Sequence, residues 1–329
     1  MVGRQVDYSR RHFIKLSSLT GVGAVLAAGL PFFRVNRSAA AHGSTPAEPI
    51  IDIHQHTNYL GRTDEELLAH QRSMGVTTTI LQPAGHPVDY GSTYYGVGNG
   101  LQAEATGNEA CYGLAKKYPD EFLFGANEVP DLPGAIAEIE KYLKLGAPII
   151  GESKFGVECD SPEMQRVYQL AANYRVPILM HWQYNMYNRG FERFYKMLEK
   201  YPKVNFIGHS QTWWANIDKN YTNPNDLYPK SKVTPGGLTD RLLHDYPNLF
   251  GDMSAPSGLN AILRDEAHMR DFLQRHQDKL LFGSDCTDKA GKGSVCAGSQ
   301  IIAGIRRLAG DKIVERKILY ENAKKLLRI

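Results

Sequence analysis

The sequence predicts an α/β fold, a (β/α)8 TIM barrel. Three observations lead there: eight short apolar or β-branched runs, helical signals between them, and no glycine-rich phosphate turn after the first run. The runs lie at 50–55, 76–82, 121–127, 147–153, 176–181, 203–208, 248–253 and 279–284. Gln55-His56-Thr57-Asn58 follows the first of them, where a doubly wound sheet would carry glycines. The chain of 329 residues, 42% of them hydrophobic, suffices for a barrel plus a short extra segment, and it shows no internal repeat.

The helices are marked by their ends. Thr63 ahead of Asp64-Glu65-Glu66 makes a capping box, and Gly75 closes that helix. Residues 132–145 are helically periodic and stop at Gly146. Ser161-Pro162 reads as an N-cap followed by a proline at the first helical position. Further helices are predicted near 103–117, 191–200, 236–245, 259–276 and 299–309, with a final one over 311–327. Two connections are long. One runs from 84 to 103 with Tyr90, Tyr94, Tyr95 and glycines at 91, 96, 98 and 100; the other runs from 210 to 235. Both leave the C-terminal ends of strands, where barrel sites are built, so both are expected to wall or cover a site, an oligomer contact being the alternative.

The net charge of +3 is unevenly placed. Residues 1–41 hold six basic residues against Asp7 alone, a net of +5; the remainder holds 32 basic against 34 acidic residues. No basic footprint for nucleic acid is left in the main body. Ser9-Arg10-Arg11-His12-Phe13-Ile14-Lys15 resembles the twin-arginine export signal, a mildly apolar stretch follows at 16–33, and Ser38-Ala39-Ala40-Ala41 offers small residues for cleavage. An uncleaved anchor is the alternative, but a stretch this short and this diluted by Gly and Ser sits at the lower limit for a membrane span. The expected organisation is a signal peptide at 1–41, a linker at 42–49 and a barrel domain at 50–329. The protein is expected to be periplasmic or exported, with the twin-arginine machinery as its partner and no stable membrane insertion after cleavage. Cys111, Cys159, Cys286 and Cys296 form no Cys-x-x-Cys pattern and read as free thiols, with a Cys286–Cys296 bridge as the alternative in an oxidising compartment.

Chemistry-bearing residues gather at strand ends. Ile53-His54-Gln55-His56 closes the first strand, and two residues apart on a strand share a face, so His54 and His56 can offer two imidazoles to one ion. Asp52 is expected to support the strand end and not to bind metal. His181 ends the fifth strand, His209 the sixth and Asp285 the eighth. Barrel geometry brings those ends around one mouth, and imidazoles with a carboxylate suit zinc or a similar divalent ion. Asp252, on the seventh strand, is expected to orient a ligand.

This constellation resembles the amidohydrolase superfamily, in particular its amidohydrolase-related branch, over residues 50–328. The likeness rests on the Asp-x-His-x-His opening at Asp52, the strand-end histidines, Gly283-Ser284-Asp285, and Asn322-Ala323-Lys324-Lys325-Leu326-Leu327 near the C-terminus. The resemblance implies that His54, His56, His181 and Asp285 are metal-site residues and that His209 binds a second metal or the substrate. One or two ions are implied, zinc first. A bridging ligand on the fourth strand is implied where two ions bind; Glu152 and Lys154, as a carboxylated lysine, both fit by alternation, and an ion pair between them is the bland alternative. Asp285 would move the water proton, and His209 would stabilise the developing oxyanion or hold the substrate oxygen.

Trp182, Tyr184, Tyr187, Trp213 and Trp214 crowd the same rim, either as walls for a small ring-shaped substrate or as loop packing. Lys154, Arg189 and Lys289 are candidates for a substrate carboxylate, or plain solvated charges. The leading expectation is a metal-dependent hydrolase of a carbon–oxygen or carbon–nitrogen bond in a lactone, ester or cyclic amide. A decarboxylase of an aromatic or unsaturated acid is the second, and an exported, non-catalytic binding protein the third.

Overall fold

Each of the eight apolar runs forms a strand: β1 (Ile51–Gln55), β2 (Thr78–Leu81), β3 (Phe122–Phe124), β4 (Ile150–Ser153), β5 (Ile178–His181), β6 (Phe206–His209), β7 (Leu249–Asp252) and β8 (Leu280–Leu281). All pairings are parallel and follow chain order, in the sets β1-β2-β3 and β4-β5-β6-β7-β8. The two seams are crossed just beyond the strands proper. Ala126 bridges Ile150 between β3 and β4, and the Ile53 N–H donates to the Phe282 carbonyl at 3.1 Å between β1 and β8. This is the predicted parallel barrel.

The computed structural model describes residues 48–86, 100–101 and 105–329. The predicted signal segment, most of the linker, and Tyr90, Tyr94 and Tyr95 lie outside the described residues. Among the described residues no helix is long and apolar enough to cross a membrane.

The helices are α1 (Asp64–Met74), α2 (Asn108–Lys117), α3 (Ala135–Lys144), α4 (Pro162–Tyr174), α5 (Tyr195–Lys200), α6 (Gln211–Ala215), α7 (Leu238–Asp245), α8 (Ala255–Arg264), α9 (Glu266–Arg275), α10 (Ala297–Leu308), α11 (Lys312–Arg316) and α12 (Asn322–Leu327). The capping box of α1 is complete: Thr63 Oγ1 accepts from the Glu66 N–H (3.2 Å), and Glu66 accepts from the Thr63 N–H (2.9 Å). Two expectations change. The stretch 259–276 is two helices, because Asp265 leaves helical geometry and its side chain caps the second at the His268 N–H (3.2 Å), a use of Asp that competes with the helix interior. The connection from 210 to 235 contains the short helix α6, which carries both Trp213 and Trp214. All four cysteines are buried free thiols; Cys286 and Cys296 hold their sulfurs 3.8 Å apart, too far for the alternative bridge.

The core has two layers. Ile51, Ile53, Ile80, Ile149, Leu179, Ile207 and Leu281 cluster with Ala323, Leu326 and Leu327. Residues from so many strands can meet only inside the barrel, so α12 closes one of its ends. A separate, larger apolar layer lies between strands and helices and includes Ile178, Met180, Phe206, Leu249 and Leu280. Alternation then fixes part of the rest, while on β1 a register shift between Asp52 and Gln55 interrupts it where His54 stands. Leu179 with His181, Ile207 with His209, Phe250 with Asp252 and Leu281 with Asp285 share the inner parity, so polar side chains stand one layer above the apolar filling.

On the helical side, Asp240 of α7 joins that helix to the end of α9. Its carboxylate accepts from His276 Nε2 (2.7 Å), from Arg275 and from the Gly236 N–H (3.0 Å). Burial alone would raise its pKa, but His276 and Arg275 outweigh burial and hold it below the ordinary value of 3.8. A depressed carboxylate contributes stability above that ordinary value and loses it as pH falls through the lower folded value. Asp240→Asn is therefore expected to lower unfolding stability by about 3 kcal/mol at neutral pH, with the difference shrinking below pH 3.8; denaturant titrations at several pH values measure it.

Candidate metal centre

The first strand places its two histidines by different means. His54 lies within β1, and its Nδ1–H donates to Asp252 Oδ2 at 2.7 Å. His56 follows the strand, and its Nδ1–H donates to the Gln82 carbonyl at 2.7 Å. A carbonyl can only accept, so the His56 proton sits on Nδ1 and the Nε2 lone pair is left facing inward. His54 arrives at the same tautomer through Asp252. The two Nε2 atoms stand 3.2 Å apart, and both rings are wholly buried.

Two carboxylates complete the group. Glu152 Oε2 lies 3.3 Å from His54 Nε2 and 3.4 Å from His56 Nε2. Asp285 Oδ1 lies 3.5 Å from His56 Nε2 and 3.9 Å from His54 Nε2. Ligands held about 2.0–2.2 Å from a common centre in a tetrahedron are spaced by about 3.3–3.6 Å. Among the described residues, Asp285 Oδ1 is buried and accepts no hydrogen bond. A buried carboxylate oxygen left unpaired is costly, and a divalent cation bound by His54, His56 and Asp285 would satisfy it, with Glu152 beside the same two imidazoles. The donor set, two neutral imidazoles and two carboxylates, suits a borderline divalent metal.

His209 stands beside this set. Its Nδ1 donates to Ser254 Oγ (2.9 Å), which in turn donates to Asp252 Oδ2 (2.6 Å). Its Nε2 lies 3.4 Å from Asp285 Oδ2 and 3.6 Å from Glu152 Oε1. Asp252 thus orients both His54 and His209. Ser254 and Gln82 were not legible from sequence motifs; the Asp252-x-Ser254 spacing, which puts both on one strand face, is the only hint of the former. Asp52 ties the first strand to the eighth: its Oδ1 accepts from the His54 N–H (3.0 Å) and the Ser284 N–H (2.9 Å), and its Oδ2 accepts from Gln71 (3.1 Å).

The electrostatics follow from crowding. Burial opposes charge on His54, yet Asp285 and Glu152 outweigh it and hold the imidazole well above its ordinary value. Burial would raise the carboxyls of Glu152 and Asp285, but His54, with His181 for the former and His209 for the latter, holds both well below the usual range. Without a cation, protonated imidazoles must balance the carboxylates.

Other expected residues fall elsewhere. His181 abuts the cluster: Nδ1 donates to Glu152 Oε1 at 2.6 Å, Nε2 meets the Ser210 hydroxyl at 2.8 Å, and burial pushes its pKa down to about 4 against the pull of Glu152. The alternation that paired Glu152 with Lys154 is broken by a register shift between Ile150 and Ser153. Glu152 therefore enters the cluster, while the Lys154 ammonium lies over the Tyr187 ring, 5.8 Å from its centroid. Trp182, Trp213 and Trp214 are packing residues. Trp182 stacks among Phe191 and Phe194, Trp214 donates to the Asp252 carbonyl (3.1 Å), and Trp213 covers Gly208, where a Cβ would meet its ring at 2.2 Å. Tyr184 remains 41% exposed. Arg189 pairs with Glu158 (2.6 Å), and Lys289 with Glu66 (2.8 Å).

Residues 51–329 match the family model described as Amidohydrolase. No curated protein matches the chain by sequence. Solved structures do match it by fold. An uncharacterized TIM-barrel protein from Bordetella bronchiseptica is 16% identical with a TM-score of 0.58, over 85% of this chain and 98% of that one. A probable 2-pyrone-4,6-dicarboxylic acid hydrolase from Acinetobacter baumannii, with citric acid bound, is 14% identical with a TM-score of 0.54, over 85% and 99%. A 5-carboxyvanillate decarboxylase from Sphingomonas paucimobilis is 16% identical with a TM-score of 0.51, over 83% and 85%.

Because Asp252 holds two imidazoles in the inward-facing tautomer, Asp252→Asn is expected to weaken divalent-metal affinity about 10–100-fold while the circular dichroism spectrum stays native. Titration against a competing chelator measures the change; unaltered affinity would remove Asp252 from this role.

Proposed function

Since the chain belongs to the amidohydrolase family and is an enzyme of that type, we propose that it is a zinc-dependent hydrolase. The bond cleaved is carbon–oxygen or carbon–nitrogen in a small ring-containing lactone, ester or cyclic amide. The observation that carries this reading is the convergence of His54, His56, Glu152 and Asp285, with Asp285 Oδ1 buried and unpaired among them. These four residues would hold the cation. Bound there, it supplies Lewis acidity, making water more acidic and polarising a carbonyl oxygen.

The protein's own groups divide the remaining work. Asp285 is ionised, and its side chain, 9% exposed, is the most accessible of the four. It takes the proton from the attacking water and returns it to the leaving oxygen or nitrogen. His209 is fixed at Nδ1 through Ser254 and Asp252, which leaves Nε2 to donate to the oxyanion as it develops. Asp252 and Asp285 raise the His209 pKa against the effect of burial. His181 stays neutral and positions Glu152. Lys154 and Tyr184 are the rim residues assigned to the substrate, since the tryptophans lie in the core. Export by the twin-arginine route, with cleavage after Ala41, belongs to the same proposal and rests on residues 1–41.

A second reading is decarboxylation of an aromatic acid, the activity named for the solved structure from Sphingomonas paucimobilis on the same fold. There Asp285 would protonate carbon instead of taking a proton from water. A panel of lactones, cyclic amides and aromatic acids, assayed for ring opening and for carbon dioxide release, separates the two. Ring opening without gas is the expected result; carbon dioxide release with no hydrolysis of any panel member would overturn the hydrolase reading. Asp285→Asn is expected to lower kcat by about 100-fold or more on whichever substrate turns over, as measured by steady-state kinetics.

A further inference from the structure

A second cluster of metal-ligating side chains lies behind the first. Cys286 and Asp288 follow β8, Cys296 precedes α10, and His70 projects from α1. The four ligand atoms all fall within 4.8 Å of one another. His70 Nε2 is 2.9 Å from Asp288 Oδ2, 3.1 Å from Cys286 Sγ and 3.5 Å from Cys296 Sγ. Cys286 Sγ is 3.5 Å from Asp288 Oδ2 and 3.8 Å from Cys296 Sγ. For zinc bonds of about 2.3 Å to sulfur and about 2.0–2.1 Å to nitrogen or oxygen, a tetrahedron has edges of about 3.8 Å between sulfurs, about 3.5 Å from sulfur to nitrogen or oxygen, and about 3.3 Å from nitrogen to oxygen. The observed spacings follow that order.

Three further features point the same way. His70 and Cys296 are wholly buried, and Cys286 nearly so. Among the described residues, the polar side-chain contacts of His70 are made by Nε2, on the side of the cluster, and Nδ1 makes none. The backbone around the cluster is held from outside it: Arg62 donates to the Cys286 and Asp288 carbonyls (2.9 Å each), Gln55 donates to the Cys286 carbonyl (2.9 Å), and the Asp288 Oδ1 accepts the Ala290 and Gly291 N–H groups (2.8 and 2.9 Å). Asp288 Oδ1 is thereby occupied, and Oδ2 is turned to the sulfurs. A thiol pair destined only for a disulfide needs neither the imidazole nor the carboxylate.

We propose that His70, Cys286, Asp288 and Cys296 form a structural zinc site, distinct from the centre at His54. All four positions are filled by protein, as in sites that fold a chain and not in sites that turn over substrate. Binding releases the two thiol protons. The ion clamps the loop after β8 to α1, and so fixes the chain on the C-terminal side of Asp285.

Cobalt(II) reports on the site directly, because thiolate ligation gives a near-ultraviolet charge-transfer band that imidazole and carboxylate ligands do not. The full chain is purified under reducing conditions, stripped with chelator and titrated with cobalt. The wild type and the double variant His54→Ala/His56→Ala should both show the band, and Cys286→Ser/Cys296→Ser should lose it together with one equivalent of bound metal. His70→Ala leaves both sulfurs in place and should weaken cobalt retention against chelator by more than about tenfold, which covers the case where the cysteine variant does not fold. Absence of the band in the wild type, or its loss in the histidine double variant, would overturn the proposal. So would an intact mass about 2 Da low after non-reducing purification with no thiolate-bound metal, since the pair would then be a disulfide.

Discussion

The constraint on which the centre depends is negative charge held inside the barrel. Glu152 and Asp285 are carboxylates with little or no solvent around them, and the carboxylate of Asp252 lies just behind. An uncompensated buried charge costs several kcal/mol. The surrounding architecture answers that cost. Asp252 is neutralised through His54 and, by way of Ser254, through His209. Glu152 is held by His181 at 2.6 Å. Asp285 Oδ1 faces the inward nitrogens of His54 and His56. The same geometry that is costly without a cation would favour one.

That charge is affordable only on a rigid floor. The apolar side chains of the strands fill the barrel, α12 seals one end, and Asn322 anchors that helix by donating to the Gln277 and Leu280 carbonyls (2.7 and 2.8 Å). Close approach replaces side chain with backbone where polar groups must converge. At Gly283 an added Cβ would fall 2.5 Å from Asp252 Oδ1 and 2.8 Å from His54 Cβ, so the run leading to Asp285 tolerates no side chain there. Asp52 completes the arrangement by stitching the ends of β1 and β8 together beneath the ligands. Cys286 and Asp288 of the second cluster follow Asp285 closely in the chain, so both clusters draw side chains from one short loop.

The strands were legible because each is a bounded apolar run, and their number and spacing dictated the barrel. His54, His56, His209 and Asp285 were legible because strand ends in a parallel barrel face one mouth. What misled sequence reasoning was always local. Alternation could not separate Glu152 from Lys154, since a register shift in β4 sends the one inward and the other to Tyr187. The tryptophans carry the composition of a ring-binding wall, yet the side of a strand or short helix on which a large ring lands depends on where space is left. Trp213 fills the hollow over Gly208. Asp265 looked like one polar residue in a long helix and instead divides it, because its short carboxylate caps α9.

The sequence by itself determined the fold and pointed to most residues of the candidate centre, because both follow from periodicity and from which residue types end each strand. Tertiary structure alone decided which nitrogen of each histidine faces inward, which carboxylates join them, and that His70 meets Cys286, Asp288 and Cys296. Tautomers are set by hydrogen-bond partners as far as 198 residues away, as His54 is by Asp252. The cysteine cluster is drawn from a helix near the start of the barrel and a loop near its end, with no spacing motif to announce it. Contacts of that kind are products of packing in three dimensions, and no pattern along one dimension encodes them.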